Sequence, residues 1–174
     1  LVALSHGNLL ANTAAIIQYL GITPADRALA LLPFHHSFGN SVLQTHLLAG
    51  ATLVQAGSVF FPNSIVEALR EQTITSFSGV PEMYRLLLTR SDLGREPLPS
   101  LRYMAAAGGA LAPQPTQELA RRIAPAQLFL MYGQTEAAAR ISYLDPAELA
   151  RRPGSVGRGI PGVEVQVVDA QGRL

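Results

Sequence analysis

Apolar positions along this chain recur at two spacings, and the spacings take turns. Leu9, Leu10, Thr13, Ile16, Ile17 and Leu20 follow helical intervals behind a polar SHGN start, and ALALLP at 28–33 reads as a short strand bounded by proline. The next pairs are a helical VLQTHLLAG with the strand ATLVQA, and SIVEALREQ with ITSFSGV. PEMYRLLLTR opens with Pro81, a residue suited to a first helical turn, and LRYMAAAGG reads as a strand ending in glycines. TQELARRIA and QLFLMYG complete a further unit, and GSVGRGIPG at 154–162 is a turn-rich stretch before a final strand in VEVQVVD. Strand and helix repeated at this spacing predict an α/β fold with a mostly parallel sheet and flanking helices. Leu1 to Leu4 reads as the end of a strand with no beginning, so residues 1–174 are expected to be a single partial domain.

Composition narrows the picture. Of the 174 residues, 48% are hydrophobic and 14% charged, which excludes disorder and favours a sheet buried on both faces. A net charge of +1, without long runs of either sign, gives no electrostatic footprint for nucleic acid or an anionic membrane. The absence of cysteine excludes disulfides and thiolate metal sites. No apolar run is long enough to span a bilayer and no signal-peptide pattern opens the chain, so it reads as a cytoplasmic protein.

Ligands of open α/β sheets collect at the carboxyl ends of the strands. There this sequence places His35 and His36, then Ser78 and Gly79, then Gly108 and Gly109, and finally Tyr132 to Glu136. The last group sets an amide, a hydroxyl and a carboxylate (Gln134, Thr135, Glu136) where the strand LFLMY stops.

LPFHHSFG (32–39), AAGGALAP (106–113), MYGQTEA (131–137) and GSVGRGIPGVEVQVVD (154–169) occur in an order and spacing that resembles the adenylate-forming enzymes, the superfamily of acyl-CoA synthetases, firefly luciferase and peptide-synthetase adenylation domains. SHGNL also looks like the segment that follows that family's phosphate loop. The resemblance implies that ATP and a carboxylic acid form an acyl-adenylate, which passes its acyl group to coenzyme A or a carrier-protein phosphopantetheine. By the same resemblance Thr135 corresponds to the threonine on the α-phosphate and Glu136 to the glutamate that helps hold Mg²⁺. Tyr132, Gly133 and the Gly108, Gly109, Ala110 backbone correspond to the walls of the adenylate site, and His36 to a histidine bordering the acyl pocket. It further implies a phosphate loop upstream of Leu1, and a ribose-binding aspartate and small carboxy-terminal domain downstream of Leu174; without these the isolated chain is expected to be inactive.

Plainer readings compete. Taken singly, Thr135 and Glu136 are a helix start with a favourable first-turn carboxylate, and only the matched neighbours reverse that preference. His35 and His36, read as strand neighbours, point to opposite faces and do not chelate one metal together. His6 and His46 read as surface or helix-packing residues, and Arg121 with Arg122 as a solvated face. Amino-acid-activating relatives place an aspartate shortly after the strand that corresponds to ALALLP, whereas this chain offers His36, Ser37, Phe38 and Gly39. An unpaired buried ammonium is costly, so a fatty or aromatic acid is expected, with Gly79, Val80, Gln134 and Met131 as candidate pocket residues. The alternative is a non-catalytic nucleotide- or acyl-binding module. A hydrolase lacks its G-x-S-x-G elbow, and GSVGRG falls too late for a Rossmann fingerprint.

Overall fold

Side-chain parity along two central strands divides the core in half. In the computed structural model, which describes residues 1–173, strands β4 (Tyr103–Ala106) and β5 (Gln127–Tyr132) send alternate residues to opposite faces of one sheet. Met104, Ala106, Leu128 and Leu130 join one apolar cluster, and Tyr103, Ala105, Phe129 and Met131 join the other.

The first cluster is covered by α3 (Pro62–Glu71), α4 (Pro81–Arg90) and α5 (Pro113–Ile123), each of which begins at a proline whose missing N–H costs nothing in the first turn. The second lies under α1 (His6–Leu20), which packs beside α2 (Ser37–Leu48). A reciprocal cap fixes the start of α1: the Ser5 hydroxyl accepts from Asn8 N at 3.1 Å, and Asn8 Oδ1 accepts from Ser5 N at 3.0 Å. Sequence periodicity foretold all five helices.

With β1 (Arg27–Leu29), β2 (Thr52–Val54), β3 (Ser76–Gly79), β6 (Ser142–Leu144) and β7 (Arg158–Gly159), the sheet has seven strands in the order β2-β1-β3-β4-β5-β6-β7. The first five strands run parallel; β6 pairs antiparallel with β5, and β7 antiparallel with β6, so only β6 opposes the others. The mostly parallel α/β sheet expected from the pattern is therefore present. Three details differ. Residues 1–4 form no strand. VEVQVVD forms none either: no described strand lies beyond β7, so its alternating valines lack a ladder partner, and Val167 stays 88% exposed. β6 and β7 escaped the sequence reading because three and two residues are too few to show a period.

One buried carboxylate ties β1 to the elements around it. Asp26 is 2% exposed and accepts from Thr23 N at 2.8 Å, Thr75 Oγ1 at 2.7 Å and the Arg102 guanidinium at 2.6 Å. Burial alone would raise its pKa, but the hydrogen bonds from Arg102, Thr75 and Thr23 together hold it below the usual carboxylate range. A depressed folded pKa contributes stability that is present above the unfolded value, about 3.9, and is lost as pH falls through the folded one. Asp26→Asn is expected to cost about 2 kcal/mol at pH 7 and to flatten the loss of stability below about pH 4; urea melts at pH 7 and pH 3 check both.

Candidate functional site

Because β1, β3, β4 and β5 are parallel, their carboxyl ends reach the same rim. At the β3–β4 seam, the buried Tyr84 ring packs under Gly79, and its hydroxyl donates toward Ala105 O at 2.8 Å, with Phe77 O at 3.1 Å. Burial pushes this phenol far above its ordinary pKa, so it stays a neutral donor. Beyond the seam, Gly108, Gly109 and Ala110 are exposed and carry no side chain beyond a methyl group, facing Val80 and Pro81. Gly108 has a φ of +85°, a conformation that favours glycine. Extending the register Ala106↔Leu130 puts Gly108 level with Tyr132, a residue 45% exposed at the end of β5.

After Tyr132 the chain folds into a tight turn before returning as β6. A Cβ on Gly133 would lie 1.8 Å from Ala139 O and 2.7 Å from Ala139 C, so only glycine permits this crossing. Thr135 to Ala137 form one 3-10 turn, and Ala138 and Ala139 follow with φ of 53° and 91°. Two successive alanines in that region are strained and persist only when their surroundings hold them.

The fold uses little of what the turn displays. The Gln134 side chain at its start caps nothing. Thr135 Oγ1 does not cap the turn but donates toward Ser37 Oγ at 3.4 Å, a long bond that links β5 to the start of α2. Glu136 is exposed, and among the described residues its carboxylate has no hydrogen-bond or ion-pair partner. The competing view of Thr135 and Glu136 as an ordinary helix start is weak here: the turn is three residues long and its threonine does not cap.

Two clefts flank the turn. One of about 270 Å³ is bordered by Leu9, His35, Ser37, Gln44 and Thr135. The other, about 400 Å³, is bordered by Asn8, Asn12, Glu136, Ile160 and Pro161. His36 is the exposed N-cap of α2, its ring 4.4 Å from that of His35, and it is His35 that borders the smaller cleft. The opposite-face argument for this pair does not apply, because Pro33 ends the extended run and both histidines lie in a turn and cap. Among the described residues, no three His, Asp or Glu side chains cluster as a metal cage.

Several sequence expectations need correction. Met131 does not face the rim: parity sends it under α1, where the Tyr19 hydroxyl lies 2.9 Å from its Sδ. His46, by contrast, takes the helix-packing option of its sequence reading: it is buried in α2 with Nδ1 2.8 Å from Val42 O, and burial pulls its pKa below the usual imidazole value. Arg122, unlike the exposed Arg121, is largely covered and donates to Leu88 O at 3.0 Å. Asn12 and Arg140 were not anticipated. Asn12 Nδ2 donates to Arg140 O at 2.8 Å and Ala137 O at 3.3 Å, and the Arg140 guanidinium lies 4.1 Å from the Phe38 ring centroid. Arg140 is buried, and burial pulls its pKa down against the opposing influence of Tyr19. The only signal for Asn12 in the sequence is a polar residue flanking the apolar stripe of α1.

Comparison with known proteins gives a consistent answer. The chain is 31% identical over 157 residues to a feruloyl-CoA synthase of an Amycolatopsis species, covering 88% of this chain and 31% of the relative. It is 32% identical over 171 residues to an indoleacetate–CoA ligase of Aromatoleum aromaticum, covering 97% and 33%. The chain thus spans about a third of the length of the curated relatives it matches. The solved o-succinylbenzoate coenzyme A synthetase of Bacillus subtilis in complex with ATP and magnesium superposes with a TM-score of 0.85 at 27% identity, over 99% of this chain and 35% of that one. VinN superposes with a TM-score of 0.85 at 31% identity, over 99% and 42%, and a further VinN structure holds L-aspartate. The profile of the AMP-binding enzyme family matches residues 1–174, and the chain belongs to that family.

Proposed function

We propose that this chain supplies the central part of the large amino-terminal domain of a cytoplasmic ligase, one that activates a fatty or aromatic carboxylic acid with ATP and passes the acyl group to coenzyme A or a carrier-protein phosphopantetheine. The observation that carries this reading is the turn after β5, which displays a threonine hydroxyl and a carboxylate that the fold barely uses. Attack of an acid on the α-phosphorus, with pyrophosphate leaving, calls for alignment and charge neutralisation rather than a protein nucleophile. In this reading Thr135 donates its hydroxyl to an α-phosphate oxygen. Tyr132 covers one face of the adenine, and the bare Gly108, Gly109, Ala110 backbone together with Gly133 leaves room for the flat base. His36, the exposed N-cap of α2 beside the cleft-lining His35, is assigned to the border of the acyl carboxylate.

Glu136 fits a magnesium ion: an exposed, unpaired oxygen donor suits a hard cation that keeps much of its water and is otherwise bound by phosphate. When bound, Mg²⁺ neutralises the charge on the departing pyrophosphate. The Feruloyl- and indoleacetate-ligase relatives support an aromatic acid, and the L-aspartate in VinN favours an amino acid as the second reading. Against the second reading, among the described residues no acidic side chain borders the cleft beside Thr135.

Acid-dependent ATP–pyrophosphate exchange by the full-length polypeptide, over a panel of fatty, aromatic and amino acids, tests the proposal. Exchange with an aromatic or fatty acid is expected. Exchange with amino acids alone overturns the substrate class, and none with any acid from a folded protein favours a non-catalytic binding module.

A further inference from the structure

We infer that Asn12 is a positioning residue: from α1 it holds the turn that carries Thr135 and Glu136, and so sets where hydroxyl and carboxylate stand. The inference rests on the proposed roles of those two residues. It starts from the backbone. Ala138 and Ala139 occupy left-handed conformations that alanine disfavours, and of the turn's own amide bonds, Ala138 N to Thr135 O at 3.1 Å is ordinary whereas Ala139 N to Gln134 O at 3.3 Å is long. Left to itself such a segment relaxes toward negative φ, and Thr135 and Glu136 move with it.

Asn12 opposes that relaxation. Its single Nδ2 bridges Ala137 O and Arg140 O, the carbonyls on either side of the strained pair. Both neighbours are acceptors, so the amide has one sensible orientation, and that orientation leaves Oδ1 buried without a partner. A second, separate anchor comes from α2, where the buried Arg140 guanidinium lies over Phe38 beside the Ser37 hydroxyl that meets Thr135. The turn is thus fastened from both helices of one layer. Asn12 does so at the larger cleft, which Glu136 also borders.

The test uses Asn12→Ala and Asn12→Asp in the full-length polypeptide, with two readouts. In pyrophosphate exchange, Asn12→Ala is expected to lower kcat and to raise the half-saturating Mg²⁺ concentration, each about tenfold, the usual scale for a residue behind a ligand. Asn12→Asp keeps the volume but turns an acceptor toward two carbonyls, so its loss is expected to exceed that of alanine. In native-state hydrogen exchange, the amides of 137–139 are expected to exchange about tenfold faster in Asn12→Ala while those of β5 stay unchanged. A uniform loss of protection, with the Mg²⁺ requirement and kcat unmoved, makes Asn12 a general stabilising residue and overturns the inference. Should the wild-type protein exchange pyrophosphate with no acid, the functional reading falls, and the hydrogen-exchange pattern alone then decides whether Asn12 holds the turn.

Discussion

Glu136→Ala is expected to lower acid-dependent pyrophosphate exchange by about 10² to 10³, the scale seen when one preorganised electrostatic group is removed from a reacting centre. The same substitution is expected to change stability by no more than about 0.5 kcal/mol, because surface changes away from caps and networks fall in that range. The structure supplies the reason for the split. Glu136 is exposed, has no hydrogen-bond or ion-pair partner among the described residues, and sits in a turn too short for a significant dipole. Raising Mg²⁺ should recover part of the loss if the remaining oxygens come from phosphate. The decisive comparison is thermal melting beside exchange kinetics on one preparation. A variant that melts several degrees lower and keeps its rate would make Glu136 a structural residue and remove its metal role.

Gly133→Ala is expected to lose as much activity by another route. Its added Cβ meets Ala139 O at 1.8 Å, Ala139 C at 2.7 Å and Arg140 Cα at 2.9 Å. All three are backbone atoms, so no rotamer change relieves the clash, and the crossing between the end of β5 and the start of β6 must open. A local cost of about 4 kcal/mol is expected, near the upper end for point substitutions. Exchange should fall by about 10² or more, and here added Mg²⁺ should recover nothing. The strand cores on either side remain intact, so far-ultraviolet circular dichroism should stay close to that of the wild type. Full activity in Gly133→Ala would mean that the turn tolerates another path and does not set the positions of Thr135 and Glu136.

How much of this could be read from the sequence depends on how far each signal extends. Helices with prolines at their starts, or with the SHGN cap, announce themselves over ten or more residues. Strands β3, β4 and β5 follow from apolar runs that stop at glycine or tyrosine. VEVQVVD misled because alternation reports what a strand could bury, while a ladder also needs a neighbour. Met131 misled because nearness in sequence to Tyr132 says nothing about face, and one residue of parity moves a side chain across the sheet. Gly108, Tyr132, Thr135 and Glu136 could be proposed together because they follow the ends of parallel strands and match the family's motifs. Asn12 and Arg140 act across more than a hundred residues of sequence, and no local pattern announces a donor aimed at a distant carbonyl.

The reversal from parallel to antiparallel pairing at β5–β6 has a kinetic consequence. In a strand–turn–helix unit, the rim loop moves with a helix that must unpack from the sheet. Here the turn is closed at its base by Ile141 N to Tyr132 O at 2.9 Å and by the ladder beyond it, as in a hairpin. Its opening therefore needs the nearest rungs to fray and the side-chain ties from Asn12 and Ser37 to let go, with no helix unpacked from the sheet. Hairpins form in about 1–10 μs, whereas a median enzyme turns over about ten times per second. On the proposed function, nucleotide entry past this turn is expected to meet a hinge limited by a few side-chain bonds rather than by the unpacking of a helix.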